Sequence, residues 1–211
     1  MIFTDLTDND RRDIIDYVSG KTGFLRNVVE KDWWVTSVLR AIFSLPYADH
    51  VSFKGGTNLS KCWGLIQRMS EDIDIGISRE FLGFGGELSK NQISDKLRRA
   101  SCSFVRNIMR NDVENALVAQ GISPDAIIVT VQETKVSTVD PETIYVAYKS
   151  LYGRNGYILP QVKIEVSGRS MTESVSKVSV RSYISENLPK LTFQDNPVAV
   201  SYTHLTLPTI R

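Results

Sequence analysis

Two short patterns between Phe53 and Ile77 carry the residue types that phosphate chemistry needs. Gly55 and Gly56, followed by Thr57, form a turn whose backbone N–H groups can approach phosphate oxygens closely, because no Cβ stands in the way. Asp72 and Asp74 alternate with Ile73 and Ile75, so on a β-strand both carboxylates point to one face. Two same-face carboxylates repel each other unless a cation lies between them. A hard divalent ion such as Mg²⁺ or Mn²⁺, shared with the phosphates of an NTP, meets that need. A phosphate turn followed by paired acids on the next strand is the layout of a nucleotidyltransferase.

Each pattern alone is weak. Most Gly-Gly-Thr turns are ordinary strand-to-helix connections, and an Asp-x-Asp pair can be a surface feature. Order and spacing add to them: the 15 residues between Gly56 and Asp72 suffice for one helix and a turn. Arg68 and Ser70 precede the acids and give Arg-x-Ser-x-Asp-x-Asp.

The stretch FKGGTNLSKCWGLIQRMSEDIDI resembles the signature of the AbiEii/AbiGii toxin nucleotidyltransferases, a branch of the DNA polymerase β nucleotidyltransferase superfamily. EKDWWVTSVLRAIF (Glu30 to Phe43), KLRRAS (Lys96 to Ser101) and PQVKIEVSGRSMTE (Pro160 to Glu173) are similar to the same branch. The resemblance runs from about Asp16 to Val198. It implies the toxin of a toxin–antitoxin or abortive-infection pair, with a cognate antitoxin as partner. It also implies transfer of NMP from an NTP to an acceptor, RNA or a tRNA 3′ end in some relatives.

The resemblance gives Glu165 the place of a third carboxylate, often Asp in the superfamily. In QVKIEVSGR, Lys163, Glu165 and Ser167 share one strand face. Glu165 is then a metal ligand beside Asp72 and Asp74, or a general base; a surface ion pair with Lys163 or Arg169 is the plainer alternative. Gly55, Gly56 and Thr57 would hold phosphates, with Lys54, Arg68 and Ser70 completing the nucleotide-binding set. Ser60 and Lys61 lie one turn further on as weaker candidates. Lys31 and Asp32 match a Lys-Asp pair of the family, or form a local ion pair or cap.

These residues need a frame. The pattern predicts helices over Thr7–Gly20, capped by Asp8 or Asp10, over Glu30–Leu45 with Trp33 and Trp34 as core anchors, and over Thr57–Leu65. Strands are expected at His50–Lys54, Ile73–Ile77, Ala126–Glu133, Thr143–Ser150 and Gln161–Ser167. Leu88–Gly121 reads as the longest helix, with Ile93, Leu97, Phe104 and Ile108 on one stripe. Lys96, Arg99, Arg106 and Arg110 fall opposite, as a solvated face or as a contact to an RNA backbone. The expected fold is α+β: a nucleotidyltransferase fold with N-terminal helices and a long helix packed on a mixed β-sheet.

Net charge is +1, with 42% hydrophobic and 23% charged residues, so nothing biases the whole surface toward nucleic acid or membrane. Cys62 and Cys102 are too few for a disulfide framework, and no apolar run approaches the ~20 residues of a membrane span. A cytoplasmic protein is expected. Residues 200–209, VSYTHLTLPT, resemble the translation of a sequencing-library adaptor. The expected division is a nucleotidyltransferase domain over 1–198, its C-terminal segment missing, and a non-native tail over 199–211; a genuine Thr/Leu-rich strand is the alternative. Two other functions fit the same residues: nucleotidylation of a small molecule of the aminoglycoside type, and nucleotide binding without catalysis.

Overall fold

A computed structural model describes residues 3–61, 72–153, 158–168, 175–189 and 198–203. Strands β1 (Val51–Lys54), β2 (Asp72–Ile77), β3 (Ile127–Val131), β4 (Glu142–Tyr148), β5 (Gln161–Ser167), β6 (Val175–Val180) and β7 (Val198–Thr203) form one mixed sheet, ordered β3-β4-β5-β2-β1-β7-β6. The β2–β5 and β1–β7 pairs are parallel and the other pairs antiparallel. Alternation of side chains gives this sheet two different faces. Ile73, Ile75, Val162, Ile164, Val166, Ile144 and Val146 are buried on one. The other carries Asp72, Asp74, Lys163 and Glu165, all part-exposed.

Helices cover the apolar face. Helix α1 (Asp8–Thr22) is capped by Thr7, whose hydroxyl accepts from the Asp10 N–H, and not by Asp8 or Asp10 as the sequence pattern suggests. Both acids sit in its first turn, where they favour the positive end of the helix dipole. Helix α2 (Arg26–Phe43) is buried nearly all round. Trp33 and Trp34 are core residues, with Trp34 stacked on Tyr148 at 4.6 Å. The short helix α3 (Gly55–Lys61) starts directly where β1 ends, and α6 (Tyr183–Asn187) follows β6.

The long helix predicted after Leu88 is present but irregular. It joins a π-helical segment (Gln92–Leu97), α4 (Arg98–Phe104), a second π-helical segment (Val105–Met109) and α5 (Arg110–Ala119). The wider π turns shift which residues face inward. Leu97, Phe104, Val105, Met109, Val113 and Leu117 are buried, whereas Ile108 is 47% exposed. The regular stripe through Ile108 is therefore corrected: Leu97 and Phe104 face inward, and Ile108, in the second π-helical segment, does not.

The sequence pattern does not predict β6 or α6, and it allows a strand in the region of β7 only as the alternative to a non-native tail. β7 lies within the sheet, paired to β1 on one side and β6 on the other, and its residues overlap the stretch that resembles an adaptor. Backbone pairing tolerates many sequences, so it does not tell where those residues come from.

Candidate active site

The β2–β5 ladder creates the site. In parallel register Asp74 stands opposite Glu165 and Asp72 opposite Lys163. On the far side of β2, Lys54 stands opposite Asp74. On the far side of β5, Thr143 stands opposite Glu165 and Tyr145 opposite Lys163. Neighbouring strands lie ~4.8 Å apart, so register partners on one face are within side-chain reach. Sequence reasoning proposed Asp72 and Asp74 on one strand and Glu165 on another; the fold sets the three on one face of adjacent strands.

The electrostatics follow from this crowding. Partial burial, then the charge and hydrogen bond of Glu165, then the charge of Asp72, push the Asp74 carboxyl up to about 6. Lys163 works in the opposite direction. Its ammonium lies 2.6 Å from a Glu165 oxygen and 3.8 Å from an Asp72 oxygen. The hydrogen bond to Glu165 raises the Lys163 pKa, with the Asp72 charge assisting. The row thus contains its own cation. Sequence reasoning gave Lys163 only as an alternative ion-pair partner of Glu165, and that pair is present. The available signal was its spacing: residues i and i+2 of a strand share a face.

Among the described residues, no three of His, Cys, Asp and Glu converge to enclose an ion. The carboxylates stand in file, open to one side. This donor set still fits a hard divalent cation: it is all oxygen, anionic, part-exposed and strained by its own repulsion.

The phosphate turn adjoins the acids. Gly55 has φ +73°, a conformation that disfavours side chains, and a Cβ there would collide with the Asp74 carboxylate. Gly55, Gly56 and Thr57 open α3, where backbone N–H groups lack intrahelical acceptors. The Thr57 hydroxyl is committed elsewhere: it donates to the backbone carbonyl of Asp72 and ties α3 to the first residue of β2. Arg68 and Ser70 lie outside the described residues, as does the Leu65 end expected for α3.

Other candidates are engaged structurally. Lys61 is ion-paired with the buried Asp32 and donates to the Arg181 carbonyl at 3.1 Å. Asp32 of the Lys-Asp pair is thus part of an inter-helix tether, and it also accepts from the Tyr183 N–H at 2.7 Å. The basic stripe does not form one free row. Lys96 and Arg99 are exposed, Arg99 beside Asp95. Arg106 reaches back to the buried Glu142 at 2.9 Å, and Arg110 holds the Val129 carbonyl. Both therefore reach toward β3 and β4.

A profile of the family described as nucleotidyl transferase AbiEii toxin, type IV toxin–antitoxin system, matches residues 37–203. The chain belongs to the AbiEii family. No curated relative matches the sequence. The match contains β1, α3, β2 and β5, and so every described residue of the AbiEii site built above. The family is one of nucleotidyl transferase toxins, which agrees with the mixed sheet and its acid-bearing strands. No described helix of this AbiEii chain is long and apolar enough to cross a membrane.

Proposed function

We propose that this chain transfers NMP from an NTP to an acceptor hydroxyl, the hydroxyl oxygen bonding to the α-phosphorus as the α–β bond breaks and pyrophosphate leaves, as the toxin of a toxin–antitoxin or abortive-infection pair with a cognate antitoxin. The observation that carries the reading is the in-register alignment of Asp72, Asp74 and Glu165 on the open sheet face, against Gly55. Asp72 and Asp74 would hold Mg²⁺ or Mn²⁺, with Glu165 as third ligand. When bound, the ion neutralises phosphate charge and lowers the pKa of an attacking hydroxyl. Backbone N–H groups of Gly55, Gly56 and Thr57 orient the phosphates. Lys54, opposite Asp74, and Arg68 add positive charge, and Ser70 a hydroxyl donor. Lys163 holds Glu165 and screens it from Asp72. Glu165, once released from that ammonium, accepts a proton at a carboxylate oxygen.

The acceptor reading extends to RNA, for which Lys96 and Arg99 are the stripe members left at the surface. Because Arg106 and Arg110 are held to the β-sheet, a small-molecule acceptor stands as the second reading. Purified protein incubated with labelled NTPs, Mg²⁺ and either total RNA or aminoglycosides separates the two. Mg²⁺-dependent label in RNA supports the first, and label in the small acceptor the second. Nucleotide bound with no transfer to either would leave a binding protein and overturn the enzymatic reading.

A further inference from the structure

The geometry points to the buried ion pair between Asp32 of α2 and Lys61 of α3 as a positioning device that sets the rotation of α3, and with it the aim of the Gly55–Thr57 amides at an NTP. The nucleotide half of this inference rests on the function proposed above; the rotational half stands on contacts alone.

Helix α3 is fastened at two points. Thr57 is bonded to the Asp72 carbonyl, and Lys61 is inserted between α2 and α6. Residues four apart lie on one helical face, so both fastenings pull on the same side of α3. One such contact would let the helix swivel; two fix its rotation. Lys61 is held on several sides: by the Asp32 carboxylate, by the Arg181 carbonyl, and by the Tyr183 ring 4.8 Å away. Asp32 is itself anchored, accepting from the N–H of Tyr183 at the start of α6.

The anchorage is dry. Asp32 is 1% exposed and the Lys61 side chain 8%. A buried ion pair adds little net stability compared with apolar side chains of similar volume. What it adds is direction: a charge-assisted hydrogen bond accepts a narrow range of angles, whereas an apolar contact slides. Direction matters here because the other end of α3 has no slack, with Gly55 packed against Asp74 too closely for a Cβ. A small rotation of α3 changes where its first N–H groups point relative to the carboxylates.

The test uses the full chain carrying Asp32→Leu with Lys61→Met, which removes both charges and keeps the volume. Expected are a melting temperature at or above that of the unaltered protein and amide exchange at Gly55–Thr57 faster by about tenfold, with α2 exchange unchanged. The dissociation constant for a non-hydrolysable NTP with Mg²⁺ should rise about tenfold, the scale on which small misplacements act. Asp32→Glu, which keeps the charge and displaces Lys61, should raise KM for NTP more than it lowers kcat. Unchanged exchange at Gly55–Thr57 in the double variant overturns the positioning role. Should the unaltered protein bind no NTP, the proposed function falls, while the exchange comparison still decides the tether.

Discussion

Two clusters of charge sit on opposite faces of the same sheet, and they are built on opposite principles. Under the helices, Glu142 is 1% exposed and meets both the Cys102 thiol and the Arg106 guanidinium. Burial and the adjacent carboxylate push the Cys102 thiol up to about 11, so it serves as a neutral donor. One residue along β4, Thr143 turns to the other face and abuts Glu165 in the acid row. There carboxylates crowd around one ammonium, and the strain remains visible in Asp74. In the first cluster a buried carboxylate has its own cation and a thiol donor, with one oxygen, Glu142 Oε1, buried without a hydrogen bond. The second is open and carries an anionic excess, which the proposed cation would neutralise.

Substitution in the open row should act on chemistry and spare the fold. Asp74→Asn or Asp72→Asn is expected to lower NMP transfer by at least about 10²–10³-fold, as loss of a key charge stabiliser does, with the melting temperature unchanged or raised. Turnover close to that of the unaltered protein would remove both residues from the site.

The enclosed cluster should respond in reverse. Arg106→Met leaves the Glu142 carboxylate buried without its ion partner, at an expected cost of about 3 kcal/mol in urea unfolding. Turnover per folded molecule should not change. A higher KM for an RNA acceptor, without loss of stability, would instead assign Arg106 to nucleic acid.

Gly55→Ala tests the seam between turn and acids. Its left-handed backbone and the collision with Asp74 predict a loss of about 1–3 kcal/mol, together with weaker NTP binding. Full retention of stability would mean that the turn relaxes away from β2.

The smallest effect is a dependence on pH. Burial and the neighbouring Glu165 and Asp72 push the Asp74 carboxyl up to about 6 in the folded protein, well above the ordinary aspartate range. The folded state therefore binds more protons than the unfolded one between that range and about 6. Stability should fall as pH rises through that window and stay lower above it. Because Asp74 is part-exposed, the discounted change is about 1 kcal/mol. Thermal melts in EDTA should show the slope, Asp74→Asn should flatten it, and millimolar Mg²⁺ should offset it above pH 6. A slope of opposite sign would refute the crowding of Asp74 by Glu165.

Strand-borne features were the most readable in the sequence. Asp72, Asp74, Lys163 and Glu165 alternate with Ile and Val, and a period of two survives any tertiary context that buries one face. The Gly-Gly turn was legible because few other residues accept its backbone. The helical stripe was not, because the reading assumed uniform winding and π segments leave no plain compositional mark. Ile108 turned outward and Arg106 inward as a result. The bonding of Asp32 to Lys61 depends on which elements meet in space, and local pattern carries no trace of that. The pair of Lys163 with Glu165, two residues apart on one strand, was legible as the ion pair it forms.

The parallel pairing of β2 with β5 has a consequence in time. Asp74 and Glu165 are about 90 residues apart in sequence, and the strands bearing them are direct neighbours in the sheet. Such distant pairing is slow to form and cannot begin before the later strand has been synthesised. A nascent chain holding Asp72 and Asp74 therefore has no third carboxylate and no Lys163 beside them until β5 leaves the ribosome. The acid row therefore stays incomplete until the chain through β5 has been synthesised.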